Sequence, residues 1–464
     1  MIDRYLEFIK SKQASFVPSG FDCGDLGGHM FDFQKAMVQW ALKRGRAALF
    51  ADTGLGKTIM ESTWAQKVHE HTGANVLIVA PLCVSQQTVE EAAKFGITIK
   101  YCRSQEEVEP GITITNYEML EKFDLDSFIA VVLDESSIIK SHTSKTRDFI
   151  ISAFRDTPYK LTATATPSPN DFIELGNQAQ FLGVMSQQEM LATFFTHDGG
   201  DTSKWRLKGH GKTKFWEWMA TWAICVRSPA DLGFDGSRYI LPPLNVREHV
   251  VSGGELLDGH LFATVAMSLS ERREAKRKSM ADRICLAADI ANANNEPCIV
   301  WCHLNDESAA LAREINGAVE VTGSMKPTEK EEMIMAFTHG DARVIVTKPS
   351  IAGFGMNWQH CRNMIFAGMD DSFESYYQAV RRCYRFGQKR EVNVHIITAE
   401  TEGAVKANIE RKQAQSNEMA AQMVDHMREI TWRQIIGACS NTETYIARVP
   451  MTVPAWLVQN VEAA

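Results

Sequence analysis

The stretch from Arg46 to Met60, RAALFADTGLGKTIM, limits the possible folds more than any other part of this chain. An apolar strand breaks at a Gly-rich turn that opens straight into a helix. That arrangement aims successive backbone N–H groups and the helix's positive end at one spot, which suits a polyphosphate. Thr53, Gly54 and Gly56 belong to the turn, Lys57 would reach the outer phosphates, and the Thr58 hydroxyl would sit on Mg²⁺. Ala51 stands where the general pattern has Gly. A strand feeding a helix through such a turn belongs in a parallel sheet covered by helices on both faces.

The rest of the chain repeats this alternation. APLCVSQQTVEEAAKF follows the apolar run NVLIV, GITITNYEML begins another unit, and FIAVVLDESSIIKS is an apolar strand ending in adjacent carboxylates, Asp134 and Glu135. An acidic pair at the carboxyl end of a buried strand is where doubly wound sheets place metal and water chemistry. Asp134 would hold Mg²⁺ through its water shell, and Glu135 would orient an attacking water and accept its proton. YKLTATATPSPND is a further strand, whose small hydroxyl residues end at a Pro-rich turn.

At 464 residues the chain is too long for one ordinary core. From Gly183 to Leu244 the alternation stops: the segment is rich in Gly, charge and Trp, with a helical stretch near Phe215 to Cys225 and a stiff end at LPPL. It reads as an insertion packed by its own tryptophans, and the GKT at Gly211 to Thr213 lacks a preceding strand. A second αβ domain follows, with strands in EPCIVW, VEVTGS and ARVIVTK but no phosphate loop of its own. The expected organisation is a first domain over 1–182, an insertion and linker over 183–244, a second domain over 245–400 and a helical tail over 401–464.

A net charge of −8 argues against a surface coated with phosphate-binding patches, while leaving room for a local basic cleft. The basic block Arg272, Arg273, Lys276, Arg277 and Lys278 reads first as a solvated helix face. Ten cysteines without a CxxC pair read as buried thiols, with Cys298 and Cys302 on one face of a strand. The N-terminus has no apolar signal core and no run approaches a membrane span, so an intracellular protein is expected.

A phosphate loop alone fits many NTPases, and the second domain narrows the choice. Arg382 and Arg385 are three apart and share a helix face, where their guanidinium groups could neutralise charge growing on a transferring phosphoryl group.

With these residues in view, the chain resembles superfamily 2 helicases and translocases, in particular the Swi/Snf-like branch and its compact bacteriophage versions. TGLGKT looks like motif I, DESS the acidic box, TATPSPN motif III, IAGFGMNW motif V and QAVRRCYRFGQ motif VI. The resemblance implies two tandem RecA-like α/β domains with ATP and Mg²⁺ in the cleft between them. It implies that Gln34, in MFDFQ, contacts adenine, that Gly355 lies at the nucleotide, and that Thr164, Thr166, Gly353, Asn357 and Gln378 couple nucleotide state to nucleic acid. Ser137 departs from the His or Gln usual in the acidic box. The implied activity is DNA-dependent ATP hydrolysis driving translocation along, or remodelling of, duplex or branched DNA through nonspecific backbone contacts. The implied setting is a bacterial cytoplasm, with phage or host replication and repair proteins as partners. An RNA helicase and a nucleotide-gated clamp with little turnover are the rival expectations.

Overall fold

The computed structural model describes residues 20–140, 144–168, 171–198, 201–251, 279–352, 356–369, 372–399 and 403–435. The basic block at 272–278 and both Gly353 and Gly355 lie outside them.

Helix α1 (Asp32–Arg44) leads through Gly45 into β1 (Arg46–Ala51), and the phosphate-loop turn opens α2 (Lys57–Thr72). β2 (Val76–Ala80), α3 (Leu82–Ala93), β3 (Ile99–Tyr101), β4 (Ile112–Asn116), β5 (Ala130–Asp134), α4 (Lys145–Ala153) and β6 (Tyr159–Ala163) follow. The strands pair in parallel in the order β3–β4–β2–β5–β6–β1. Every residue of β2, β4, β5 and β6 is buried. This explains the near-continuous apolar runs of β2 and β5, because helices cover both faces of the sheet. After β4 the expected helix is a 3₁₀ segment, Tyr117–Lys122, whose N-cap Asn116 accepts from the N–H groups of Glu118 and Met119.

The segment expected to be a mostly helical insertion is different in two respects. α5 (Leu175–Leu182) ends just before it; the segment itself contains α6 (Gln187–Phe194) and α7 (Lys212–Ala220), but also an antiparallel hairpin, β7 (Phe195–Asp198) with β8 (Asp201–Leu207). Ala223–Val226, expected at the end of a helix, is instead β9, which pairs in parallel with β1 as the seventh strand of the first sheet. The β-branched and apolar run AICV prefers an extended conformation once its faces are covered. The inserted tryptophans do pack inward: Trp216, Trp218 and Trp222 are all buried.

The second unit begins with β10 (Leu244–Val251). α8 (Met280–Asn292), β11 (Cys298–Trp301), α9 (Asn305–Glu314), β12 (Ala318–Val321), α10 (Pro327–His339), β13 (Val344–Thr347), α11 (Pro349–Ala352), β14 (Asn363–Phe366), α12 (Phe373–Val380) and β15 (Val392–Ala399) complete it. Its six strands are parallel in the order β10–β15–β14–β11–β13–β12. Cys298 and Cys302 lie in one buried cluster, as their spacing suggested, and both are free thiols. A wholly buried ion pair, Arg283 with Glu307, ties α8 to α9. The same guanidinium donates to the Ala367 carbonyl.

The tail helix α13 (Gly403–Ile435) returns to the first unit, where Met423, Val424 and Met427 join the cluster containing Trp216, Trp218 and Trp222. Near its end, Gln434 Oε1 accepts from Trp40 Nε1–H at 2.9 Å. Two parallel sheets flanked by helices thus form tandem RecA-like lobes, and the carboxyl ends of their strands hold the motifs. No helix among the described residues is long and apolar enough to cross a membrane.

Candidate functional site

The phosphate loop is held from below. Gln34, on α1, accepts the Phe31 N–H through Oε1 at 3.0 Å and donates through Nε2 to the Leu55 carbonyl at 2.8 Å. In this structure its amide braces the loop. Gly56 has φ +81°, which strains any residue with a Cβ, and a Cβ there would come within 2.3 Å of Gln34 Nε2 and push that amide off the loop. Lys57 Nζ donates to the Ala51 carbonyl at 3.1 Å, folded back along the turn that it would leave to meet a phosphate.

Thr53, Gly54, Gly56, Lys57, Thr58, Asp134, Glu135, Arg382 and Arg385 line one cavity of about 320 Å³. Residues distributed over more than 300 positions of sequence therefore converge, with the loop and acidic pair on one wall and the arginines on the other. Glu91, Lys94 and Phe95, from α3 and the turn after it, form part of the rim.

Glu135 has φ +49°, the one positive value among the described residues other than glycine. Such backbone strain costs on the order of 1–3 kcal/mol and persists where surrounding contacts over-determine it. Here the Glu135 N–H donates to Asp134 Oδ1 at 2.9 Å, and Tyr117 O–H donates to the Asp134 carbonyl at 2.6 Å. The turn points both carboxyl groups toward the cavity.

Burial, and then the neighbouring Glu135 charge, push the Asp134 carboxyl up to about 7, against the opposing pull of Lys57, the Glu135 N–H and Arg382. A third acid is involved that was not singled out from sequence. Glu61, 2% exposed on α2, is raised well above the usual carboxylate range, chiefly by burial and then by the neighbouring Asp134 charge. Its position four residues after Lys57, on the same helix face, was the available signal.

The arginines are fixed differently. Arg382 is 1% exposed; its Nε donates to the Gln378 carbonyl at 2.8 Å, NH2 to Gln378 Oε1 at 2.9 Å and NH1 to the Met356 carbonyl at 3.0 Å. Burial and the adjacent Arg385 charge lower its pKa to about 10. Arg385 shares the Met356 carbonyl at 3.3 Å, and its buried Nε has no partner. Arg385 lines a cavity whose other walls carry loop amides, Lys57 and a hydroxyl, a donor set that fits a triphosphate. One carboxylate and one hydroxyl also fit Mg²⁺, which keeps several waters and takes the remainder of its shell from substrate phosphates. Among the described residues, no cluster of three or more His, Cys, Asp or Glu could hold a metal unaided.

Of the residues expected to couple the site to nucleic acid, Gln378 is fully buried and serves as the brace of Arg382. Asn357 lines a neighbouring cavity of about 240 Å³ between α3 and α10. Thr164 and Thr166 form a relay: Thr164 Oγ1 donates to Glu135 Oε2 at 3.5 Å, Thr166 N–H donates to Thr164 Oγ1 at 3.1 Å, and Thr166 Oγ1 donates to Glu374 Oε1 at 3.5 Å. Glu374 lies on α12 in the second lobe and also pairs with Lys140 of the first. Sequence reading identified the threonines but not their acidic partner.

Comparison with known proteins agrees with this layout. Residues 33–200 match the SNF2-related domain, and residues 277–387 match the helicase conserved C-terminal domain. A probable chromatin-remodeling complex ATPase chain of Oryza sativa subsp. japonica is 28% identical over 200 residues, covering 37% of this chain and 18% of that protein. The DNA annealing helicase and endonuclease ZRANB3 of Mus musculus is 21% identical over 438 residues, covering 83% of this chain and 40% of that protein. The chain thus spans less than half the length of either relative.

Proposed function

The chain belongs to the Swi/Snf-like helicases of superfamily 2, with their first domain at 33–200 and the helicase C-terminal domain at 277–387, and from that premise we propose that it is a DNA-dependent ATPase that translocates along or remodels duplex or branched DNA. The observation that carries this reading is the single cavity with Lys57 and the Asp134–Glu135 pair on one lobe and Arg382 and Arg385 on the other. Such a site hydrolyses only when the lobes meet, which links turnover to domain movement.

Lys57 would leave the Ala51 carbonyl for the outer phosphates. Thr58 and Asp134 would hold Mg²⁺, mostly through water, and the ion when bound neutralises phosphate charge. Glu135 would orient the attacking water and take its proton, which its contact with Thr164 makes legible to the second lobe through Thr166 and Glu374. Arg382, braced by Gln378 and Met356, and Arg385 would meet the charge that grows on the phosphoryl group. Such arginines are worth roughly 10³ to 10⁵ in rate. The lobes would grip a nucleic-acid backbone through strand-end hydroxyls, amides and a few cations, so binding is nonspecific and salt-sensitive. A phage-encoded protein working in a bacterial cytoplasm with replication or repair proteins is the setting that goes with this reading.

The test is ATP turnover and triplex displacement measured without nucleic acid and with single-stranded, duplex and forked DNA and RNA. Stimulation by duplex or forked DNA, abolished in Lys57→Ala, is the expected result. Stimulation by RNA alone makes the protein an RNA helicase, and no stimulation by any nucleic acid refutes the motor.

A further inference from the structure

Helix α12 presents one polar face to the first lobe. Glu374, Tyr377 and Arg381 recur at spacings of three and four, so they lie along one side of that helix and its last turn. At the start of this face, Glu374 pairs with Lys140 and accepts from Thr166. At its end, Tyr377 O–H donates to Asp52 Oδ1 at 2.6 Å and Arg381 NH2 donates to Asp52 Oδ2 at 3.3 Å. The Arg381 guanidinium also lies over the Tyr377 and Tyr384 rings, 5.1 and 5.5 Å from their centroids.

Asp52 is the residue between β1 and the phosphate loop. Its N–H is held by the Val226 carbonyl of β9 at 2.9 Å, and its Oδ1 accepts the Thr53 N–H at 2.6 Å. The carboxylate and the guanidinium are each 17% exposed. Asp52 is thus fixed to the first sheet, and its carboxylate joins its own loop to the second lobe. The two cross-lobe pairs have opposite polarity: cation on the first lobe at Lys140, anion on the first lobe at Asp52. Sliding α12 along the first lobe would bring like charges together, so one register of closure is favoured over its neighbours.

We propose that Asp52, Tyr377 and Arg381 are positioning residues for phosphoryl transfer: they lock the turn that begins the phosphate loop to the helix that leads into Arg382 and Arg385, and so set the register in which those arginines face Lys57. Arg381 immediately precedes Arg382, so a shift of its guanidinium anchor moves the backbone from which the reacting arginines project. None of the three needs to touch the nucleotide. The proposal rests on the ATPase reading for its catalytic consequence, but the lock itself is a property of the nucleotide-free protein.

The experiment is a double-mutant cycle on the full chain with Asp52→Ala, Arg381→Ala and both together, with Tyr377→Phe as a separate removal of one hydrogen bond. Steady-state kcat and KM for ATP are measured with saturating duplex DNA, and the radius of gyration without nucleotide is measured by small-angle X-ray scattering. Each alanine variant lowers kcat about tenfold with KM within about twofold, and the double variant is no slower than the slower single one. The reversed pair, Asp52→Arg with Arg381→Asp, recovers part of the loss, and each single alanine variant has a larger radius of gyration than the parent. Multiplicative losses in the double variant, or an unchanged kcat in Arg381→Ala, overturn the proposal. If the parent shows no DNA-dependent turnover, the ATPase reading fails, and the scattering comparison alone decides the lock: expansion of both single variants supports it and unchanged dimensions overturn it.

Discussion

At Gly54 the backbone of the second lobe packs directly against the phosphate loop. A Cβ built at this residue would stand 2.7 Å from the Phe386 backbone nitrogen and 3.0 Å from the Phe386 Cβ, and its φ is +91°. Comfortable carbon contacts lie at roughly 3.5–4.0 Å, so Gly54→Ala must part the lobes by about 1 Å or distort the loop. The left-handed conformation adds about 1–2 kcal/mol of strain for any residue with a Cβ. Because Phe386 follows Arg385 directly, the displacement falls on the arginine wall, and a misplacement of about 1 Å typically costs on the order of 10² in rate. The expected outcome is a kcat for DNA-stimulated ATP hydrolysis roughly 10²-fold below the parent, with only a small change in melting temperature, because the clash acts on closure and each lobe keeps its core. The measurements are steady-state turnover at saturating duplex DNA and a thermal melt. Turnover within about threefold of the parent would refute the claim that catalysis requires this approach of the lobes.

Other perturbations separate the parts of the site. Lys57→Ala abolishes nucleotide binding, whereas Glu135→Gln binds a fluorescent ATP analogue and loses hydrolysis; equal turnover in either variant contradicts the roles given to them. The raised Asp134 carboxyl sets a pH dependence. Between its ordinary value of 3.8 and the folded value of about 7, the folded protein keeps a proton that the unfolded chain has lost, so this contribution to stability is complete below 3.8 and disappears as pH rises through 7. Asp134→Asn should flatten that decline and raise the melting temperature of nucleotide-free protein at pH 8, read by calorimetry across pH 4 to 9. An identical pH profile would count against the buried carboxyl as its source. In the second lobe, Glu307→Gln leaves the Arg283 guanidinium without its counter-charge in a fully buried place and should destabilise that lobe by about 3–5 kcal/mol in denaturant unfolding.

The parts of this molecule legible in its sequence are those in which chemistry dictates local backbone. A phosphate loop needs glycine where Gly54 and Gly56 take positive φ, and strands covered on both faces read as apolar runs, so the alternation of strands and helices and the carboxyls after β5 could be placed. What was missed depends on partners far away in the chain. Ala223–Val226 is too short to declare itself a strand, and it is one only because β1 offers an edge. Glu61 sits in a polar stretch of α2, Glu61–Ser62–Thr63, that looks like a solvent face; all three are buried because the helix is enclosed on every side over residues 60–65. Gln378 carries a motif position whose role as a brace for Arg382 appears only when the helix turn is seen. Asp52, Tyr377 and Arg381 have no sequence signal at all, since 325 residues separate the aspartate from the tyrosine it holds.

The most direct measurement is a structure of the protein with duplex DNA and a transition-state analogue of ATP. Lys57 Nζ and the Arg385 guanidinium should both lie within hydrogen-bonding distance, about 2.7–3.2 Å, of oxygens or fluorines at the γ-phosphate position, one from each lobe. A complex in which the nucleotide is bound by Lys57 while Arg385 faces solvent, or stays on the Met356 carbonyl, would contradict hydrolysis at the lobe interface.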